Sequence, residues 1–150
     1  MAPINQPTNL VDEIAALRRE VAELRKRSDA GAVAVAVQFV RTRQQDAPVV
    51  TSAAFETVWM ADLVVTHTGL EITTSDGCDP GTTGEGQIVL ESSGSSTVVA
   101  DWLCKPGPNV VRRGPFPLTG ARSRVSLRYR RTGGTGIVYA AVLGAVQYQI

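Results

Sequence analysis

The chain has 150 residues, 43% of them hydrophobic, which suits one globular domain of ordinary size with a short extension. Its formal net charge of +1 excludes an overall field that would recruit nucleic acid or an anionic membrane. The opening residues carry no secretory signal pattern, and no apolar run approaches the roughly 20 residues that cross a bilayer. We therefore expect a soluble protein, made in the cytoplasm, that has neither nucleic acid nor membrane as a partner.

A helix is predicted to follow an irregular lead of eight residues that contains Pro3 and Pro7. Asn9 would be its N-cap, and Asp12 and Glu13 would occupy the first turn, where the helix dipole favours acidic groups. Inside the helix, apolar residues are spaced by 4, 3, 4 and 3 positions, which is the seam of a coiled coil. The seam residues are Leu10, Ile14, Leu17, Val21 and Leu24.

The charges beside this seam suit parallel, identical helices. With Ile14 at heptad position a, Glu13 falls at g and Arg18 at the following e. Glu20 and Arg25 repeat this relation one heptad later. In a parallel bundle, g and e′ residues lie across the interface from each other, so these pairs would set the register.

We predict that residues 1–29 are an oligomerising segment. Isoleucine and valine at a with leucine at d lean towards two strands, but so short a seam specifies the number weakly. Dimer and trimer both stay open, with the trimer favoured. The alternative is a lone helix that lies on the rest of the chain with its charges solvated.

Residues 30–150 change to an alternating pattern, interrupted by Gly, Pro, Ser and Thr about every ten residues. This pattern is typical of antiparallel strands in a sandwich or barrel, and eight strands suit a jelly-roll-like β-sandwich. Their predicted connectors include SDGCDPGTTGEG, SSGSS and RGPFPLTG, the last with Phe116 exposed between two prolines. The predicted strands are 32–43, 49–60, 62–74, 86–92, 97–104, 109–113, 122–131 and 136–149.

The first and last of these strands are apolar on both faces, which indicates burial on both faces. In a two-layer sandwich the core covers only one face of a strand. The second face could be covered by a loop of the same chain or by a second subunit. Because the first strand directly follows the helix, we favour a subunit interface.

Few residues suggest catalytic or metal chemistry. His67 is the only histidine, so a histidine-based metal cluster is excluded, and we expect it to be a solvent-facing or hydrogen-bonded residue on a strand. Asp76, Asp79 and Glu85 share one Gly-rich segment that could supply calcium ligands, but their spacing does not match an EF-hand. A structural turn is favoured. Cys78 and Cys104 are the only cysteines, and free thiols are favoured over one disulfide.

Arginines alternate with apolar residues along the strand ARSRVSLRYRR. Such a row could bind phosphates or carboxylates of a cell-surface polymer, because the guanidinium group forms a fork that fits both. The favoured alternative is pairing with acids on neighbouring strands, for which Glu56, Glu71 and Glu91 are available. The candidate ligand contacts are Arg122, Arg124, Arg128 and Arg130, together with Trp102, although core packing is the default for an aromatic side chain.

The helix LVDEIAALRREVAEL, joined to an Arg- and Gly-rich β domain ending in SLRYRRTGGTGIVYAAVLGAVQY, resembles minor tail or fibre proteins of tailed phages that infect actinobacteria. The resemblance implies a symmetric oligomer on the virion, held together by the helix and displaying the β domain outward. No catalytic motif accompanies it. Because the long stalk and repeats of extended fibres are missing, a capsid decoration or head fibre protein is an alternative.

We therefore expect a non-enzymatic, homo-oligomeric virion structural protein without cofactor or metal, which serves assembly or adhesion to the host surface. Its partners would be copies of itself, other virion proteins and a host cell-wall polymer. A carbohydrate-binding module is the competing class. A small hydrolase built around Glu85 or His67 is a third.

Overall fold

The computed structural model describes residues 6–30, 34–42 and 48–150, and within the helix it describes side chains at positions 10–24. The chain divides into two units, 1–33 and 34–150. One helix lies in the first unit, and the ten described strands lie in the second.

Helix α1 spans Gln6–Ala30, 25 residues, and is about 37 Å long. It begins before the predicted N-cap at Asn9, and its first turn holds no acidic residue, so the predicted start is wrong. Pro7 lies in the first turn of the helix. Proline is tolerated there, because the first N–H groups of a helix have no intrahelical acceptor and the missing N–H of proline costs nothing. None of the described residues form a helix with the length and apolar character that a membrane span requires.

The strands form two antiparallel sheets. Sheet A has the order β1-β10-β5-β8, with β3 also pairing with β10, and sheet B has the order β2-β4-β9-β6-β7. The prediction of a mainly β chain with antiparallel sheets is confirmed. The strands are β1 Val35–Ala36, β2 Val40–Arg41, β3 Val49–Val50, β4 Glu56–Val64, β5 Gly69–Cys78, β6 Thr83–Ser92, β7 Ser95–Cys104, β8 Asn109–Pro117, β9 Arg122–Gly133 and β10 Val138–Tyr148.

The strands from β3 onward pair as a nested series. Strand β6 pairs with β7, β5 with β8, β4 with β9, and β3 with β10, so each pair encloses the previous one along the chain. Two further pairings, β5 with β10 and β6 with β9, join these pairs into the two sheets.

The inner faces of the two sheets share one hydrophobic core. Side chains alternate between the faces of a strand, so every second residue points inward, as do Ile72 of sheet A and Leu127 of sheet B, which are both fully buried. Burial of such a side chain contributes about 1.5–3 kcal/mol. The indole Nε1 of Trp59 crosses between the sheets and donates to the Ala140 carbonyl oxygen at 3.1 Å.

Several predicted boundaries in the middle of the chain are wrong. The predicted strand 49–60 is divided into β3 and β4, and the predicted strand 62–74 is divided by a bend that contains His67. His67 therefore lies between strands and not on one, and its Nδ1 is 3.0 Å from the Thr66 hydroxyl oxygen. It is hydrogen-bonded, as expected.

The segment SDGCDPGTTGEG is mostly strand and not a loop. Its glycines allow side chains from other strands to lie against the backbone, which is a recognised reason for glycine in a strand. A methyl group at Gly84 would lie 2.5 Å from Val138, and one at Gly86 would lie 2.5 Å from the Trp102 ring. By contrast, SSGSS is a turn as predicted, because Ser93 and Gly94 both have positive φ angles, as a two-residue hairpin requires.

Two further predictions need correction. The described part of the predicted strand 32–43 forms two short strands, β1 in sheet A and β2 in sheet B, so the chain passes from one sheet to the other. Phe116, predicted to be exposed, belongs to β8 and points inward, where only 8% of its surface is accessible. It faces Leu70 in the strand register, which places it on the core side of sheet A.

Candidate functional site

The seam of α1 is exposed along its whole length. A fully buried leucine or valine is about 1.5–3 kcal/mol more favourable than an exposed one, so an exposed seam favours association. The exposed fractions are 57% for Leu10, 45% for Ile14, 58% for Leu17, 47% for Val21 and 57% for Leu24.

Three of the charged residues that flank the seam, Glu13, Arg18 and Glu20, are also exposed. Within the part of the chain that the structure describes, no ion pair includes Glu13, Arg18 or Glu20. The side chain of Arg25 lies outside the described residues, so the predicted Glu20–Arg25 pair does too. Glu13 and Arg18, the first predicted pair, are thus available to the charges of another chain.

The arginines of β9 form a charged outer face on sheet B. Arg124 forms a two-pronged pair with Asp62, with nitrogen–oxygen distances of 2.7 and 3.1 Å, and this hydrogen bond lowers the pKa of Asp62. The Nη2 of Arg128 lies 3.5 Å from Glu91. Pairing with acids of neighbouring strands was the favoured expectation, and these contacts agree with it.

The rest of the row differs in detail from the expectation. The Nε of Arg130 donates to Glu85 at 2.7 Å, whereas Arg122 has no ion-pair partner among the described residues. Glu71, an expected partner of the row, lies on sheet A instead and pairs with Arg112. Trp102 meets the row only at its end, where it lines a groove of about 530 Å³ together with Arg130.

A second polar site lies inside the β domain around Asp76, which is only 3% exposed. Its Oδ2 accepts hydrogen bonds from the Tyr129 hydroxyl and the Trp102 indole, both at 3.0 Å. Thr74 and Arg113 approach the same oxygen at 3.4 Å. We refer to Asp76, Trp102, Arg113 and Tyr129 as the Asp76 cluster. It joins strands of both sheets.

Arg113 is held in place by the aromatic ring beside it. Its Cζ lies 3.6 Å from the centroid of the Trp102 ring, which is within the range of a cation–π contact. The same indole also lies against Gly86, and its ring meets Tyr129 edge to face at 5.8 Å. The side chain of Arg113 is 13% exposed, so its cation is largely removed from water.

Burial also changes the ionisation of neighbouring groups. Desolvation and the nearby Asp76 carboxylate hold the pKa of Tyr129 well above its ordinary value. Burial, with help from Asp76, raises the pKa of Cys104 to about 12, and burial also raises that of Cys78. Both cysteines are free and buried, as predicted, so at neutral pH both thiols are protonated and poor nucleophiles.

A pocket opens beside the Asp76 cluster, where β7 and β8 form the last strands of their sheets. We call this the edge pocket. Its volume is about 280 Å³. It is lined by Asp76, Trp102, Leu103, Lys105, Asn109, Val111 and Arg113.

The structure separates the three acids of the Gly-rich segment. Asp76 points into the core, the Oδ2 of Asp79 accepts the Ile137 N–H at 3.0 Å, and Glu85 faces outward to Arg130. The calcium interpretation is therefore wrong for this set. Across the described ranges, no group of three or more His, Cys, Asp or Glu residues is placed to hold a metal ion.

The strand pattern predicts that Tyr129 points into the core, and Trp102 is a named candidate, but the sequence interpretation missed the other two members of the cluster, Asp76 and Arg113. The predicted strands end at residues 74 and 113, which places Asp76 in a loop and Arg113 at a strand end, so the prediction gives neither an inward direction. The alternating pattern of β5 could have shown this. Asp76 is an even number of residues from Leu70 and Ile72, so in a continuous strand all three side chains point to the same face. Extending the predicted strand from residue 74 to Cys78 would have placed Asp76 in the core.

No protein-family model matches the chain, nor does any curated protein or solved structure.

Proposed function

We propose that this protein is a non-enzymatic, homo-oligomeric structural protein of a virion, in which α1 joins the copies and the β domain is displayed. The exposed heptad seam is the observation that carries this proposal. Five apolar side chains lie along a helix of 25 residues, and each is at least 45% exposed. Identical helices packed in parallel would bury all five.

The charges support the parallel arrangement. Glu13 at g and Arg18 at e have no ion-pair partner among the described residues of their own chain. In a parallel coiled coil, Glu13 of one chain would face Arg18 of the neighbouring chain. The seam from Leu10 to Leu24 is about 22 Å long, which is short for association by the helix alone. We therefore propose a trimer or dimer, with the trimer favoured, in which the β domains also contact each other.

The outer face of sheet A supports such a contact. Tyr139, Ala141, Val146 and Tyr148 lie along this face of β10 and are half-buried, and the ion pair of Glu71 with Arg112 supplies its charge. The outer face of sheet B carries three ion pairs along β9. Interface cores are depleted in charge, so the sheet A face is the better surface for another copy.

We also propose that the β domain is a jelly roll. The strands from β3 to β10 pair in a nested series, from β3 with β10 at the outside to β6 with β7 at the centre. Such a series results when one long antiparallel hairpin rolls into two sheets. Jelly rolls occur in viral capsid proteins and in lectins, so the strand order favours a virion or sugar-binding role by analogy of fold.

Within a virion, we favour a minor tail or fibre protein with a role in assembly or host adhesion, following the sequence resemblance. A capsid decoration or head fibre protein is the alternative location. A carbohydrate-binding module is the second candidate function, and the specific observation in its favour is the edge pocket, where an aromatic ring, an arginine and an amide meet.

Substitution of Leu17 by Asp tests the assembly role. A carboxylate in the seam would have to be buried among apolar side chains, so we expect Leu17→Asp to lower the solution mass measured by light scattering. The β-sheet signal in circular dichroism should be unchanged. Ala16→Asp is the matched control, because it adds the same charge at an exposed position outside the seam. If Leu17→Asp keeps the mass of the unmodified protein, the helix is not the assembly element.

The virion assignment needs a separate measurement. Mass spectrometry of purified particles from the phage that encodes the chain should detect it in a fixed stoichiometry. Its absence from particles, combined with its presence in the infected cell, would contradict the structural role.

A further inference from the structure

Arg113 is poorly satisfied within its own chain. Among the described residues, its only hydrogen-bond acceptor is Asp76, at the long distance of 3.4 Å from Nη2, and its buried Nε has no partner. A guanidinium group has five N–H donors, and buried polar groups are normally paired. Nη1 and Nη2 are therefore available to an acceptor that enters the edge pocket.

The position of this guanidinium is fixed before any ligand arrives. Stacking on Trp102 at 3.6 Å and the contact with Asp76 hold its orientation from two sides. A preoriented fork loses little conformational entropy on binding and fits the two oxygens of a carboxylate. The arrangement is thus suited to an oxyanion.

The charge balance of the edge pocket also favours an anion. Its charged lining residues are Asp76, Lys105 and Arg113. The Asp76 carboxylate already accepts from Tyr129 and Trp102 and is neutralised by Arg113. Lys105 forms no ion pair within the described residues and leaves the pocket with one excess positive charge.

Two oxygens of the pocket are unused acceptors. The Asn109 side chain donates from Nδ2 to three backbone carbonyls, which leaves its Oδ1 without a donor from the described residues. Oδ1 of Asp76 also accepts no hydrogen bond there, since the contacts of this carboxylate are all to Oδ2. Hydroxyl groups of a ligand would supply the missing donors.

We propose that the edge pocket binds a hydroxyl-bearing ring acid of one sugar unit in size, such as a hexuronic acid, with its carboxylate on Arg113 and Lys105. The volume of about 280 Å³ lies just below the range of pockets for drug-sized ligands, so it suits one ring and not an oligomer. Leu103 and Val111 provide apolar walls for the carbon face of the ring. The site is built from one chain, so it stands whether or not the protein is a virion oligomer.

Calorimetric titration of the full chain with glucuronate tests this proposal. Glucose lacks the carboxylate, cyclohexanecarboxylate lacks the hydroxyls, and acetate lacks the ring. We expect saturable binding of glucuronate that is at least about tenfold tighter than binding of each of these three compounds. In nuclear magnetic resonance spectra, the indole N–H signal of Trp102 should shift during the titration and that of Trp59 should not.

Variants locate the site. Lys105→Glu should weaken glucuronate binding by about tenfold or more, because it reverses the uncompensated charge at an exposed position. Arg122→Glu is the matched control and should leave the affinity unchanged, since Arg122 lies on β9 away from the pocket lining. Arg113→Lys should also lose binding, but because this variant disturbs the buried cluster, Lys105→Glu carries the test.

Any one of five outcomes would overturn the proposal. Binding of glucose as tight as that of glucuronate would show that the carboxylate is not recognised, and equally tight binding of acetate would show that the ring is not. Equal binding of cyclohexanecarboxylate would show a non-sugar acid site. Absence of saturable glucuronate binding, or binding that Lys105→Glu leaves unchanged, would exclude the edge pocket as its site.

Discussion

Asp76 illustrates how a buried charge is accommodated in this core. Taking a carboxylate out of water costs several kcal/mol, and the cost is offset only when hydrogen-bond donors and an opposite charge lie close to it. Here Tyr129 and Trp102 each donate at 3.0 Å, and the cation of Arg113 lies nearby. The four side chains depend on one another, because removal of one leaves the others buried without partners.

We predict that Asp76→Ala destabilises the β domain by about 3–5 kcal/mol, the range for removing one member of a buried ion pair. Loss of the carboxylate leaves the Arg113 cation and the Tyr129 hydroxyl unpaired in the interior. Urea unfolding followed by tryptophan fluorescence measures the effect.

Asp62→Ala is the control for this prediction. Asp62 also pairs with an arginine, but on the exposed outer face of sheet B, where water replaces a lost partner. Its unfolding midpoint should hardly change. Equal effects of the two substitutions would mean that the Asp76 cluster is not a buried network.

At the scale of the element, glycines inside strands set how closely neighbouring strands can pack. Gly86 of β6 lies directly against the Trp102 ring, which in turn orients Arg113. Gly144 of β10 has nothing within 4 Å of the position of a Cβ atom. The same substitution at these two strand positions therefore has different consequences.

We predict that Gly86→Ala destabilises the protein by about 1–3 kcal/mol, because the added methyl group would lie 2.5 Å from the indole and force it to move. Gly144→Ala should leave stability nearly unchanged. Thermal unfolding of both variants distinguishes them. If the two lose equal stability, close packing of Trp102 on β6 is not the reason for glycine at position 86.

The sequence was most informative where a pattern is local. The heptad spacing predicts α1. Alternation of apolar and polar residues predicts most of the strands, and the small polar residues predict the turn at Ser93 and Gly94. Boundaries failed where tertiary contacts override local preference. Gly77 and Gly84 look like loop residues, yet they lie in strands, where side chains from other strands occupy the space that a Cβ atom would need.

At the scale of the whole molecule, pairing between distant strands could not be predicted. Alternation shows that a strand has an inner face, but it does not say that β3 pairs with β10 or β5 with β8. The Asp76 cluster depends on those pairings, since it brings together residues from β5, β7, β8 and β9. The sequence predicts that the arginines of β9 pair with acids on neighbouring strands, but it does not identify Asp62 and Glu85 as two of the partners.

The two outer faces of the β domain differ in charge, and the helix presents an uncovered apolar seam. Both features have a common explanation if several chains associate in parallel through α1 and contact one another through sheet A. Apolar surface is then removed from water, while the charged face of sheet B stays solvated. In this proposed arrangement the helix is the assembly device.

The solution mass of the full chain, compared with that of a chain starting at Ala34, tests this claim most directly. Light scattering over a range of concentrations should give a trimer or dimer for the full chain and a weaker oligomer or a monomer without the helix. Two monomers would contradict the account, because the seam would then have no second helix to cover it.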